Sequence, residues 1–180
     1  RPLIWPLLKR SRLVTALDPR PVYFWLNGAR IIAYDMTVWR IAAAGGFEVL
    51  PESLRDHLGQ EQARLALQRL EDAMQYHPAN AELWVERASI ELNRLHDPAA
   101  AAESYRRAWA QPNAPYYVGR LHAEMLRRAG RKVDALAWLV QLHPTLPVDD
   151  EAAGASIVLG RIRDLERELA IAPERTYRPR

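Results

Sequence analysis

A chain of 180 residues is long enough to bury a real core, as one domain or one short solenoid. Its 49% apolar and 26% charged residues are those of a globular protein, and no apolar run approaches the ~20 residues that cross a bilayer. With no cysteine there is no disulfide or thiolate site, and a net charge of +3 from mixed rather than clustered charges is only mildly basic.

Arginine outnumbers lysine 23 to 2, a bias we attribute to the base composition of a bacterial genome. The opening residues RPLIWPLLKRSR read as the start of an amphipathic helix. They would also suit the segment after a signal or membrane anchor, since the chain begins at Arg1 rather than a methionine. A membrane tether upstream of Arg1 therefore stays open, with bacterial cytoplasm and envelope both open as compartments. A helix is expected over 6–17, opened by Pro6. Residues 19–34, PRPVYFWLNGARIIAY, read as an apolar helix. Gly28 inside it costs about 1 kcal/mol relative to Ala, which close packing against a neighbour would offset.

Residues 35–61 are the least ordinary stretch. Met36, Val38, Trp39 and Ile41 are too apolar to stand in solvent, so this stretch should pack on the rest. Gly45-Gly46 permits a sharp turn, and Pro51 and Ser53 mark a new helix start. Two readings stay open. One is an elaborated helix pair that thickens the core; the other is a lid or binding loop with Asp35, Trp39 and Arg40 as its handles. A helix with Ala66, Leu70 and Ala73 on one face then runs to Pro78.

Asn80 to Pro112 is the most legible segment. A helix is expected over about 81–95, with Leu83, Trp84, Ala88 and Leu92 at helical spacing and Ile90 beside them. The chain breaks at His96-Asp97-Pro98, where Asp97 can cap a second helix and Pro98 suits its first position. That helix should run to about Ala110, with Ala101, Tyr105 and Ala108 on one face. Residues 114–144 form another pair, its helices separated by Gly130 and ended before Pro144. A last helix is expected over about 149–171, with Asp149, Asp150 and Glu151 at its positive end. It would carry one apolar stripe (Ile157, Val158, Ile162, Leu165, Leu169), a charged outer face including Arg161, Asp164, Glu166 and Glu168, and a loose tail over 172–180.

Trp84, Ala88, Ala101, Tyr105, Ala108 and Pro112 stand in the order and spacing of a tetratricopeptide repeat, and the middle segment resembles that family's helix–turn–helix unit. Arg87 stands where the family usually has leucine, and Glu91 where it has tyrosine. Ala66, Leu70, Ala73 and Pro78 resemble a second helix of the same kind, as do Gly130, Ala135 and Leu139 in the third pair. There Gly119 replaces the early aromatic, whose bulk Tyr116 and Tyr117 would supply. The resemblance implies an all-α domain of antiparallel helix pairs stacked as a short right-handed solenoid. Its parts would be a half repeat over 1–17, a repeat over 18–79 with an insertion at about 35–61, repeats over 80–112 and 113–144, and a capping helix over 149–171.

The resemblance also implies a concave face, built from the first helix of each pair, that holds a peptide or partner protein. Its expected residues are Val22, Trp25, Ala29 and Ile32 in the first pair and Val85, Ser89, Leu92 and Asn93 in the second. Tyr117, Arg120, Glu124, Arg127 and Arg128 follow in the third, with Trp39 from the insertion. Such a groove would grade from apolar to basic and suit apolar anchors beside acidic groups. At the positions where part of this family clamps a chaperone's terminal carboxylate stand Trp25, Ala29, Glu86, Tyr117 and Leu121, so that clamp is absent.

Catalysis has no motif behind it. His57, His77, His96, His122 and His143 fall in no zinc spacing, and there is no phosphate loop or nucleophile elbow. No catalytic residue, cofactor, metal or small-molecule substrate is expected. Arg120, Arg127, Arg128, Arg131 and Lys132 gather, but the regular polar triplets of an RNA-reading repeat do not recur, so nucleic acid is not the expected partner. The sequence therefore points to a non-catalytic protein-interaction scaffold. The alternative is a structural module of a membrane-tethered envelope protein that self-associates as a homo-oligomer.

Overall fold

The computed structural model describes residues 13–147 and 149–179, and these are all-α. Of the helix expected over 6–17, residues 13–17 are helical and the rest lies outside the described residues.

The first unit is a long helical hairpin. α1 (Val22–Arg30) runs without a break through one wide π-helical turn at Ile31–Asp35 into α2 (Met36–Ala43). Buried Thr37, just beyond that turn, donates its hydroxyl to the Ala33 carbonyl at 2.9 Å. Gly45 and Gly46 reverse the chain at φ +122° and +95°, where a side chain would be strained. α3 (Glu52–Tyr76) then returns over 25 residues. Residues 35–61 are thus mostly helix that lengthens both arms of a pair; only 44–51 are irregular, which favours the elaborated pair over the lid. Ile41, Leu50 and Leu58 form a small buried cluster in this extension. Val38 departs from expectation: it is exposed.

α4 (Ala81–Arg94) and α5 (Pro98–Trp109) lie within a residue or so of the expected ends, because their caps are local. The Asn80 side chain accepts the Leu83 N–H at 3.1 Å, and Asp97 accepts that of Ala100 at 2.9 Å. α4 is the wall between two cores. Leu83 and Ile90 join Trp25, Ala29, Ile32 and Leu70 on one side. Ala88 faces Ala101, Tyr105, Ala108 and the cluster that continues to Ile162 on the other. The two departures from the repeat pattern on α4 are partners of each other. Arg87 Nε donates to Glu91 at 2.9 Å, and the buried Glu91 carboxylate also accepts the Ser104 hydroxyl at 2.6 Å. A satisfied ionic contact therefore stands at the two positions where the resembled repeat has leucine and tyrosine.

α6 (Tyr116–Arg128) ends at Gly130, φ +78°, and α7 (Lys132–Leu142) follows. Leu142 and Trp109, not the expected Tyr116 and Tyr117, come nearest to Gly119. A Cβ added at Gly119 would meet Leu142 at 3.0 Å and Trp109 at 3.5 Å, and the Trp138 indole donates to the Gly119 carbonyl at 2.9 Å. The glycine is the socket for side chains from the neighbouring helices.

α8 (Ala155–Glu168) starts later than the acidic run suggested. Asp150 instead caps a single 3-10 turn at Glu151–Ala153, and Gly154 at φ +65° separates that turn from the helix. Of the expected stripe, Val158, Ile162 and Leu165 are buried and Leu169 is half-buried, whereas Ile157 is exposed. Glu166, assigned to the wet face, is buried: it accepts Arg163 at 2.8 Å and the backbone N–H of Tyr177. The tail, expected to be loose, is therefore held at Tyr177, whose hydroxyl also lies 3.0 Å from His143 Nδ1. From α3 onward each helix packs on the one before and the one after it.

Candidate protein-binding cleft

The strongest candidate site lies between α6 and α8, over α7. Glu124 lies three residues after Leu121, and Arg127 and Arg128 lie three and four residues after Glu124, so they share a face of α6. Arg161, Asp164 and Glu168 do the same on α8. The two faces enclose a cleft of about 520 Å³ with Leu139 and Leu165 at its base. Glu124 is the hub. Arg127 donates to it at 3.1 Å and Arg128 at 3.0 Å, and Arg161 of α8 approaches it at 3.8 Å. Arg127, then Arg128, hold the Glu124 carboxyl below the usual carboxylate range, against a partial burial that pushes it up. Glu168 closes one side, 2.9 Å from Lys132 and 3.8 Å from Arg127.

Three of the expected groove residues in α6 thus line this cleft together: Glu124, Arg127 and Arg128. Arg120 does not. Its guanidinium is spent on the Ala153 carbonyl at 2.6 Å, tying the 3-10 turn before α8 to α6. Tyr117 is exposed but is not among the residues lining the cleft. The α8 contributors lie on the face whose charge pattern predicts a solvated exterior. Their one-face spacing was visible, but only folding brings that face against α6.

The apolar end of the expected groove does not exist as a surface. Trp25, Ala29 and Ile32 are buried in the core that α1 shares with α3 and α4, and Val22 is half-buried against it. With Leu26 and Ala33 they share one core with Ala63, Ala66, Leu70 and Ala73 of α3 and with Leu83 and Ile90 of α4. The Trp25 indole donates to the Pro19 carbonyl at 2.9 Å, stacks on Tyr76 and lies 4.2 Å under the Arg69 guanidinium. Arg30 adds a link to the buried Glu86 of α4 at 2.7 Å.

The middle residues are only partly available. Val85 and Leu92 are half-buried on the core. Ser89 accepts Asn93 at 3.2 Å and lies 3.5 Å from the Tyr34 hydroxyl on the wide turn after α1. Arg94 sits 4.6 Å over the Tyr34 ring. Of the insertion's handles, Trp39 is half-buried, Arg40 is paired with Glu61 at 2.5 Å, and Asp35 is exposed.

Two other concavities are lined by groups already matched. Trp84 lies between the Arg87 and Arg107 guanidiniums, 5.9 and 5.0 Å away, beside Glu71, Glu91 and Glu103. Arg106 and Arg107 hold the exposed Glu103 carboxyl down to about 2. On the other side of α5, buried His122 donates from Nδ1 to the Ala102 carbonyl at 2.7 Å and meets the edge of Trp138. Burial pushes its pKa below the usual 6.5, with the Ala102 hydrogen bond opposing. Among the described residues no group of three or more His, Asp or Glu side chains could hold a metal ion. No helix among them is long and apolar enough to cross a membrane.

No protein-family model, curated protein or solved structure matches this chain, so its likeness to a tetratricopeptide repeat rests on the residues alone.

Proposed function

We propose that the chain is a non-catalytic interaction scaffold, a short stack of tetratricopeptide-like helix pairs that holds a peptide or partner protein. In this reading the continuous α1–α2 pairs with α3, α4 with α5 and α6 with α7, and α8 caps the stack. Packing of successive helices on sequence neighbours supports a stack, as do the fully buried alanines Ala88, Ala101 and Ala108 where helices meet closely. The observation that carries the binding reading is the cleft between α6 and α8, with its leucine base and guanidinium rim. The test is affinity capture from the source cells, washed at about 0.1 and about 0.5 M salt to separate specific from screened contacts. One stoichiometric protein should be held by the native chain and lost with Arg127→Glu plus Arg128→Glu, at unchanged melting temperature. Capture that survives the double substitution overturns the reading.

One observation favours self-association as a second reading. Val38, Phe47, Val49 and Leu54, around the turn of the first hairpin, are 45%, 48%, 73% and 44% exposed. Sedimentation should then show dimers whose proportion rises with concentration and falls on Phe47→Ser plus Val49→Ser. A monodisperse monomer at high concentration removes it.

A further inference from the structure

Resting on the scaffold reading, we infer that the cleft between α6 and α8 takes an acidic, leucine-bearing segment of a partner chain, and that Glu124 is a built-in competitor for it. The lining carries three guanidiniums (Arg127, Arg128, Arg161) and three carboxylates (Glu124, Asp164, Glu168), and Lys132, just outside it, takes Glu168. Asp164, on the same rim, is taken by Arg167. Two positive charges are left over, so an anionic occupant fits and a cationic one is repelled.

The hydrogen-bond count agrees. A guanidinium carries five N–H donors, and a carboxylate has roughly four lone-pair sites to offer. Glu124 is shared among three guanidiniums and bonded by only two of them. Arg161, at 3.8 Å, is outside hydrogen-bond range of Glu124 and has no hydrogen-bonded partner among the described residues. Arg128 has Glu124 alone. Both side chains are about half exposed, so their remaining donors face the cleft mouth and water. An incoming carboxylate can take Arg161 and Arg128 in the bidentate geometry that a guanidinium favours. Half-buried Leu121, standing over the core residues Leu139 and Leu165, is the apolar surface that a side chain of the same segment would meet.

Glu124 then acts against the ligand. Its carboxylate is only 18% exposed and is held ionised by its arginines, so it stays charged at any neutral pH. It neutralises part of the field that would draw an acidic segment in, and it occupies N–H groups that segment would use. It also keeps Arg127 and Arg128 pointed into the cleft while no partner is bound. Glu124→Gln keeps the shape and a carbonyl acceptor but removes the charge.

The probe is a short fluorescent peptide in which leucines alternate with pairs of glutamates, acetylated and amidated so that no terminal carboxylate contributes. Its control has lysine for every glutamate. Binding is followed by anisotropy, and the footprint by hydrogen exchange. The acidic peptide should bind, the lysine peptide should not, and added salt should weaken binding. Glu124→Gln should tighten it about three- to tenfold, the range expected for one partly screened charge. Arg161→Glu should weaken it more than tenfold, and Arg128→Ala should do the same more mildly in case the charge reversal disturbs α8. No binding, equal binding of both peptides, an unchanged or weaker Glu124→Gln, or preference for a single-stranded oligonucleotide overturns the inference. Acidic-peptide binding with protection around Ser89 and Asn93 instead of α6 and α8 overturns the cleft assignment and leaves the scaffold reading standing. The scaffold reading has its own failure, a cellular partner whose capture ignores the arginines.

Discussion

The hairpin made by α1, α2 and α3 and the C-terminal group made by α6, α7 and α8 begin from similar sequence patterns and end with opposite surfaces. In the hairpin, the residues expected to face a partner are core. α1 and the wide turn after it carry Trp25, Leu26, Ala29, Ile32 and Ala33 in one core with α3 and with Leu83 and Ile90 of α4. In the C-terminal group the corresponding face keeps a cleft, because Glu124, Arg127 and Arg128 prefer water and α8 meets them with its own charges. The polarity of one stripe decides whether adjacent helices close over it or leave a groove.

The largest test of this contrast is Trp25→Ala. If Trp25 is core, with its ring stacked on Tyr76 and its N–H bonded to Pro19, the loss should be about 3–5 kcal/mol in urea unfolding. A nearly neutral substitution would return Trp25 to the surface and break the comparison.

The wall between the two regions gives the next effect. Arg87→Leu alone should cost about 2 kcal/mol, since the buried Glu91 would keep only its Ser104 bond. Arg87→Leu with Glu91→Tyr restores the pattern of the repeat family and should recover most of that loss, because an apolar pair of similar volume can replace a buried ionic one. Additive losses in this double-mutant cycle would mean the two residues do not compensate one another.

The position of α8 over α6 is sharpened by Gly154→Ala. The left-handed backbone, φ +65°, costs a side chain about 1–2 kcal/mol. The new Cβ would also stand 2.6 Å from Arg120 Nη1, which must then release or shift on the Ala153 carbonyl. The melting temperature should fall, and hydrogen exchange should speed up in α8 before α1. Uniform exchange would show that the two regions unfold as one unit.

The smallest expected effect is a pH slope. Burial lowers the native pKa of His122 below 6.5, so the unfolded chain binds the proton more readily. This contribution is fully present above about pH 6.5 and is lost as pH falls toward the native value. His122→Asn keeps a donor for the Ala102 carbonyl and should flatten the dependence of the urea midpoint on pH between about 5 and 7. An unchanged slope would place the titrating group elsewhere.

The cap at Asp97, the glycine stop at Gly130 and most of the buried stripe of α8 were legible because each depends on residues within one or two helical turns. So was the pairing logic of α4 with α5, where Ala88, Ala101 and Ala108 are small at the contact. The start of α8 was misread for a local reason too: Asp150 could cap either a long helix or one 3-10 turn, and Gly154 chose the turn. The long-range features were not legible. Side chains from neighbouring helices fill the space at Gly119, Glu166 is buried beneath Tyr177, and Arg161 of α8 completes a site begun at Glu124.

From the sequence alone came the all-α class and the ends of α4 and α5, because backbone periodicity and capping are short-range. Which side of α1 would be covered, whether 35–61 would lengthen helices or hang free, and which charges would meet across the cleft were decided by tertiary packing. Those outcomes depend on the area each helix has to bury and on partners tens of residues away, and a periodic pattern says which face is apolar without saying what will cover it.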